Sequence, residues 1–222
     1  MTQKSKALVV FSGGADSTIC LHWALNKFST VEAITFDYGQ RHKIEIEAAM
    51  NICKANDIPQ KIVEINSFAQ LGDNALMNNS IEIDASKKDE LPNTFVPGRN
   101  LIFLTMAAAW AYNRGLSEIV TGVCQTDFSG YPDCREETIN ALEKSISLGM
   151  DHEFQLHTPL MFITKAESIQ MAHELSAFES LALSHTCYEG ISPPCGQCPS
   201  CELRQRGFDE AGFDDPIFLN SK

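Results

Sequence analysis

Ala7-Leu8-Val9-Val10-Phe11-Ser12-Gly13-Gly14-Ala15-Asp16-Ser17-Thr18 is an apolar, branched run that stops at Ser-Gly-Gly and continues as a helix-compatible segment. It reads as a strand, a phosphate-binding turn and a helix. Two adjacent glycines let the backbone approach a ligand closely and adopt positive φ. A helix N-terminus offers an anion its unpaired N–H groups and the positive end of its dipole, and Ser12, Ser17 and Thr18 add hydroxyls beside it. Neither Gly-x-x-x-x-Gly-Lys-Ser/Thr nor Gly-x-Gly-x-x-Gly occurs in the chain.

The pattern continues outward from this turn. A one-sided helix is expected over 17–27, then a strand at Val31-Glu-Ala-Ile-Thr-Phe36. Ile46, Ala49, Met50 and Cys53 fall on one helical stripe, and Lys61-Ile-Val-Glu-Ile65 reads as a third strand. This βαβαβ order predicts a parallel sheet with helices on both faces. Periodicity lapses over 66–95, which reads as a long surface loop, either a lid or disordered. Leu101 to Tyr112 is apolar nearly all round and is expected to be a buried helix. A strand at Glu118-Ile-Val-Thr-Gly122 delivers Cys124-Gln-Thr-Asp-Phe-Ser-Gly-Tyr-Pro-Asp-Cys134 to the ligand-binding edge of the sheet. A helix over 135–148, a short strand over 154–157 and a helix over 164–175 follow, with Thr164 and Glu167 in capping-box register. Composition then shifts to Cys, Pro and Gly, so the chain divides into an α/β domain over 1–182 and a small module over 183–222.

Composition limits the function. With 222 residues and 44% hydrophobic content, the chain can bury a full core. A net charge of −12 argues against extended contact with nucleic-acid phosphates, which depends on Lys and Arg. The apolar run after Met-Thr-Gln-Lys-Ser-Lys is too short for a signal sequence or a membrane span, so a cytoplasmic protein is expected.

Cysteine spacing carries a second signal. In Cys187-x7-Cys195-Gly-Gln-Cys198-Pro-Ser-Cys201 four thiols lie among residues that turn the chain sharply, so they can converge on one tetrahedral ion. Zinc is the first choice, an iron–sulfur cluster the second, and four merely buried thiols the third. Ligation by four thiolates leaves no open position, which makes the metal structural. A helix over 200–212 would complete the module. Cys20 and Cys53 read as small core residues. Cys124 and Cys134 lie nearer the ligand edge, where packing competes with a nucleophilic role.

Asp37-Tyr-Gly-Gln-Arg-His42 follows the strand next to the phosphate turn, which brings Arg41 and His42 towards nucleotide phosphates unless they form only a solvated turn. Arg99, beside Gly98, suits a phosphate or a carboxylate, and Lys165 at a helix start can supply a point charge. His22, His152, His157 and His173 show no ligand spacing.

The Ser12-Gly-Gly-Ala-Asp-Ser17 turn resembles the signature of the ATP pyrophosphatase, or PP-loop, superfamily. The resemblance implies a Rossmann-like fold of the adenine nucleotide alpha hydrolase type and cleavage of ATP between its α and β phosphates. Phe11, Ser12, Gly13, Gly14, Ala15, Asp16, Ser17, Thr18, Ile19, Cys20 and Leu21 would form the ATP loop, with Arg41 and His42 near it. Asp16 in an anion site makes physical sense when Mg²⁺ lies between it and the phosphates. The blocks Phe95-Val-Pro-Gly-Arg-Asn-Leu101, Thr126-Asp-Phe-Ser-Gly-Tyr-Pro-Asp-Cys-Arg135 and Thr158-Pro-Leu-x4-Lys165-Ala-Glu167 occur in order with the terminal cysteines. That set resembles the 7-cyano-7-deazaguanine synthase family over about 7–213.

The resemblance implies a ligase of queuosine precursor biosynthesis. It would join 7-carboxy-7-deazaguanine and free ammonia through an adenylate, then activate the amide again to form the nitrile. Asp16, Arg99 and Lys165 would serve catalysis, and structural zinc would sit on Cys187, Cys195, Cys198 and Cys201. Asp127, Phe128, Tyr131, Asp133 and Arg135 would hold the deazapurine. A homodimer is expected, and no nucleic-acid or membrane partner. Two other readings compete: a tRNA-modifying enzyme of thiolation or lysidine type, and a non-catalytic zinc- and nucleotide-binding interaction protein.

Overall fold

The computed structural model describes residues 5–40, 43–68, 81, 91, 93–126 and 131–221. Five parallel strands form one sheet: β1 (Lys6–Val10), β2 (Thr30–Asp37), β3 (Gln60–Glu64), β4 (Glu118–Val120) and β5 (Gln155–His157). Their order is β3-β2-β1-β4-β5, so β1 is central, with Val9 opposite Ala33 of β2 on one side and Val120 of β4 on the other. The direction of winding reverses between β1 and β4. A crevice at the carboxyl ends of the strands is the usual consequence of such a reversal.

Alternation along β1 distributes the core. Ala7 and Val9 face α1 (Ala15–Lys27) and α2 (Ile44–Ala55), while Leu8 faces α3 (Arg99–Tyr112) and α4 (Glu136–Met150). With helices on both faces, all three of these residues are fully buried, which accounts for a continuous apolar strand rather than an alternating one. Each large side chain so buried contributes roughly 1.5–3 kcal/mol of transfer free energy. The remaining helices, α5 (Lys165–Glu174), α6 (Phe178–Leu183) and α7 (Pro199–Ala211), pack on the α1 face. Phe208 of α7 lies in the same core as Val9 and Ile19, so the C-terminal segment shares the core of the sheet.

The α3 helix is less enclosed than its composition predicts. Leu104, Ala107, Ala108 and Ala111 are buried against the sheet, but Thr105 and Ala109 are exposed and Tyr112 is 50% exposed. The helix covers an outer layer and has no second layer above it among the described residues. The capping box of α5 is formed as the sequence predicts: Thr164 accepts the Glu167 N–H at 3.2 Å, and the Glu167 carboxylate accepts the Thr164 N–H at 2.7 Å. Two short 3-10 turns, Pro132–Cys134 and Pro216–Ser221, and helix α6 carry no strong periodic signal in the sequence. Apart from 66–68, 81, 91 and 93–95, the 66–95 stretch lies outside the described residues. Among the described residues no helix is long and apolar enough to cross a membrane.

Candidate functional site

The turn after β1 is held by its own hydroxyls. Ser12 Oγ accepts the Gly14 N–H at 3.2 Å and lies 3.1 Å from Ser17 Oγ. Ser17 Oγ and Thr18 Oγ1 donate to the Gly14 carbonyl at 3.0 and 2.8 Å. Gly13 has φ +86°, and a Cβ there would lie 2.6 Å from the Ala49 nitrogen of α2. Only glycine satisfies both constraints. Phe11, Ala15, Ile19, Cys20 and Leu21 are core residues that back the turn from below, whereas Ser12 is exposed and Gly14 and Asp16 are half-buried. Cys20 gives its thiol to the Thr121 carbonyl at 3.6 Å, and burial, then the Asp16 carboxylate, hold it well above the ordinary thiol range.

Three other segments converge on this turn. Lys165, the first residue of α5, places Nζ 2.5 Å from Asp16 Oδ1. Its side chain is only 10% exposed. The α6–α7 connection donates the His185 N–H to the Gly13 carbonyl at 2.9 Å. The end of β4 continues into Cys124, half-buried, with Sγ 3.0 Å from Thr126 Oγ1. Arg41 and His42 lie outside the described residues.

A second polar cluster surrounds Arg99 at the start of α3. Its Nη1 donates to the Tyr38 hydroxyl at 3.4 Å. Burial opposes the charge, yet Tyr38, Tyr131 and Asp133 together hold the guanidinium above its ordinary value. Burial pushes the Glu45 carboxyl up to about 7 against the pull of Arg99. It likewise raises the phenols of Tyr38, Tyr131 and Tyr188, each of which interacts electrostatically with Arg99. Thr94 and Tyr131 share a 2.6 Å hydroxyl contact, and Phe95 packs against the Tyr131 ring at 5.4 Å.

Asp133 is buried and accepts the Asn100 N–H at 3.0 Å, so its carboxylate caps the first turn of α3 beside Arg99. Burial and Asp133 push the neighbouring Cys134 thiol up to about 12. Arg135 is exposed, and its carbonyl accepts the Ile139 N–H at the start of α4. Asp127 and Phe128 lie outside the described residues. Glu45, Tyr188 and His185 carry no motif of their own in the sequence. Their only signal is adjacency: Glu45 follows Arg41-His42, and Tyr188 and His185 flank Cys187.

The four cysteine sulfurs of Cys187, Cys195, Cys198 and Cys201 lie within 4.8 Å of one another. A zinc–sulfur bond of about 2.3 Å implies a tetrahedral edge of about 3.8 Å; the Cys195 and Cys201 sulfurs are 3.8 Å apart. One tetrahedral ion fits this spacing. An iron–sulfur cluster would spread the four thiolates over different irons and hold them farther apart. Backbone N–H groups of Cys195 and Cys198 point at Cys187 Sγ and Cys195 Sγ at 3.4 and 3.3 Å, an arrangement suited to thiolates.

The queuosine biosynthesis protein QueC family model matches residues 6–212 of the chain. The chain is 57% identical over 216 residues to a 7-cyano-7-deazaguanine synthase of Chromobacterium violaceum, covering 96% of this chain and 92% of that one. It is 49% identical over 210 residues to a 7-cyano-7-deazaguanine synthase of Bacillus subtilis, covering 94% and 95%. Among solved structures it is similar to a 4-thiouridine synthetase–RNA complex with bound ATP, with a TM-score of 0.51 and 17% identity over 98% of this chain and 53% of that one. At that identity the likeness is one of fold.

Proposed function

The chain belongs to the queuosine biosynthesis protein QueC family, and we propose that it is a 7-cyano-7-deazaguanine synthase that converts 7-carboxy-7-deazaguanine, ammonia and ATP into the nitrile. The observation that carries this reading is the 57% identity over 216 residues, a span that includes both the phosphate turn and the cysteine module.

A carboxylate is a poor electrophile, so its oxygen first attacks the α-phosphorus of ATP and expels pyrophosphate. Ammonia then displaces AMP from the acyl adenylate and loses a proton, leaving the amide. A second ATP activates the amide oxygen; loss of AMP and the remaining N–H protons gives the nitrile. Two ATP are consumed per nitrile. The backbone N–H groups at the start of α1 bind the departing pyrophosphate, and Lys165 supplies the positive charge that grows in demand as the α–β bond breaks. Asp16 is the residue that would hold Mg²⁺, which when bound neutralises phosphate charge.

Arg99 pairs with the deazapurine carboxylate, which its planar fork matches. Tyr131 and Phe128 stack on the ring. Asp127 accepts from the guanine-like N–H edge, a role for which Asp133 is less available because it already caps α3. Arg135 stands at the rim of the same segment. Cys187, Cys195, Cys198 and Cys201 hold a structural zinc ion. A cytoplasmic homodimer belongs to the same proposal.

Mass spectrometry of products formed from ATP, ammonium and 7-carboxy-7-deazaguanine tests the reaction. The amide and then the nitrile are expected, with two AMP per nitrile. AMP without amide or nitrile would overturn the synthase reading while leaving adenylation intact. Light scattering tests the dimer.

A further inference from the structure

Lys165 reaches the phosphate turn through a notch in α7. Gly207 lies inside that helix, where glycine costs about 1 kcal/mol relative to alanine, so a glycine there calls for a packing reason. The reason is Lys165. A Cβ on Gly207 would collide with Lys165 Cγ, and it would lie 3.2 Å from Lys165 Cβ and 3.5 Å from the Lys165 carbonyl carbon. Cβ and the carbonyl carbon are fixed by the α5 backbone, and Cγ could leave only by turning about χ1, which would carry the ammonium away from Asp16. The stem of Lys165 therefore runs through the space that a side chain at 207 would fill, and its ammonium emerges 2.5 Å from Asp16.

The position of Gly207 is set from the cysteine end of α7. Cys198 caps the helix and Cys201 lies in its first turns. Between them and Gly207, Arg204 is buried and fastens the helix to its surroundings. It meets both carboxylate oxygens of Asp215 at 2.6 and 2.8 Å, the hydroxyls of Ser184 and Thr186 at 2.8 and 2.9 Å, and the Leu181 carbonyl at 3.0 Å. Arg204 thereby ties α7 to α6, to the 184–186 connection and to Asp215, and α5 shares the core that α6 and α7 build.

We infer that Gly207 is a positioning residue for adenylation: its missing side chain lets α7 hold Lys165 over the phosphate turn, so that the four-cysteine end of the molecule sets the place of the ATP-facing lysine. The inference rests on the proposed role of Lys165.

The test compares Gly207→Ala, Lys165→Ala and the double variant by AMP formation, by bound metal and by thermal unfolding. Gly207→Ala is expected to keep its metal and unfold cooperatively. Its kcat should fall by about a hundredfold, the effect of a roughly 1 Å misplacement, with a much smaller change in the KM for ATP. In the Lys165→Ala background the same glycine substitution should change the rate by less than about twofold, the tolerance for additive sites. If Gly207→Ala alone does not fold, the double variant, freed of the Lys165 stem, should fold and keep the Lys165→Ala rate. Equal losses in both backgrounds would overturn the inference, as would wild-type turnover of Gly207→Ala or a double variant that folds no better than the single one. Wild-type turnover of Lys165→Ala would overturn the proposed role of Lys165 itself, and the inference with it, before Gly207 is touched.

Discussion

The phosphate turn and the Arg99 cluster sit at the same end of the sheet, but they are built in opposite ways. The turn uses consecutive residues, Ser12 to Thr18, whose hydroxyls and amides satisfy one another, and it imports one charge, Lys165, which meets Asp16. The Arg99 cluster draws Tyr38, Glu45, Arg99, Tyr131 with Asp133, and Tyr188 from five separate segments. The turn is held mainly by bonds within its own seven residues. The cluster balances buried charges and depends on every segment that contributes one. One of those segments, at Tyr188, adjoins the four cysteines, so a metal held there would bear on the cluster directly and on the turn through His185 and α7.

The largest expected effect comes from breaking both regions together. Cys201→Ser, or removal of the metal with a chelator, should lower stability by at least about 3 kcal/mol, or about 6–12 °C in melting temperature, measured by calorimetry with parallel metal analysis. Arg99→Lys touches only the cluster. It replaces a planar fork with a point charge and should raise the KM for the deazapurine carboxylate about 10–100-fold in steady-state kinetics, with the KM for ATP nearly unchanged.

Glu45 separates the regions by pH. Its folded carboxyl titrates near 7, above the ordinary 4.5, so the folded state keeps a proton that the unfolded chain has lost. The stability this confers is complete below about 4.5 and is lost as pH rises through about 7. In Glu45→Gln the fall in melting temperature between pH 5 and pH 8 should shrink. The smallest effect belongs to the turn side: Thr164→Ala removes the cap that starts α5 at Lys165, and should cost about 1 kcal/mol, or about 2–4 °C by differential scanning fluorimetry.

Much of the phosphate turn was legible in the chain because it is local. The apolar run, the two glycines and the hydroxyls lie within twelve residues, and their hydrogen bonds close inside that span. The four cysteines were legible for the same reason, since metal spacing is a short-range constraint. The Arg99 cluster was only half legible. Arg99 and the 126–135 block stand out as polar residues flanked by glycine and proline, whereas Glu45 and Tyr188 look like ordinary surface residues until the fold brings them near Arg99 at the start of α3. Apolar composition also overstated the burial of α3, because hydrophobicity shows which residues can be buried, not how many layers exist to bury them.

By itself the sequence determined the parallel α/β plan, the glycine turn after β1 and the clustering of four thiols, because alternation, glycine placement and cysteine spacing are properties of neighbours along the chain. Only the tertiary structure decided that Lys165 meets Asp16, that Glu45 is pushed towards neutral pH and that Gly207 makes room for a lysine forty-two positions away. Those outcomes depend on which surfaces exclude water and which backbones touch, and both are settled by the packing of distant segments.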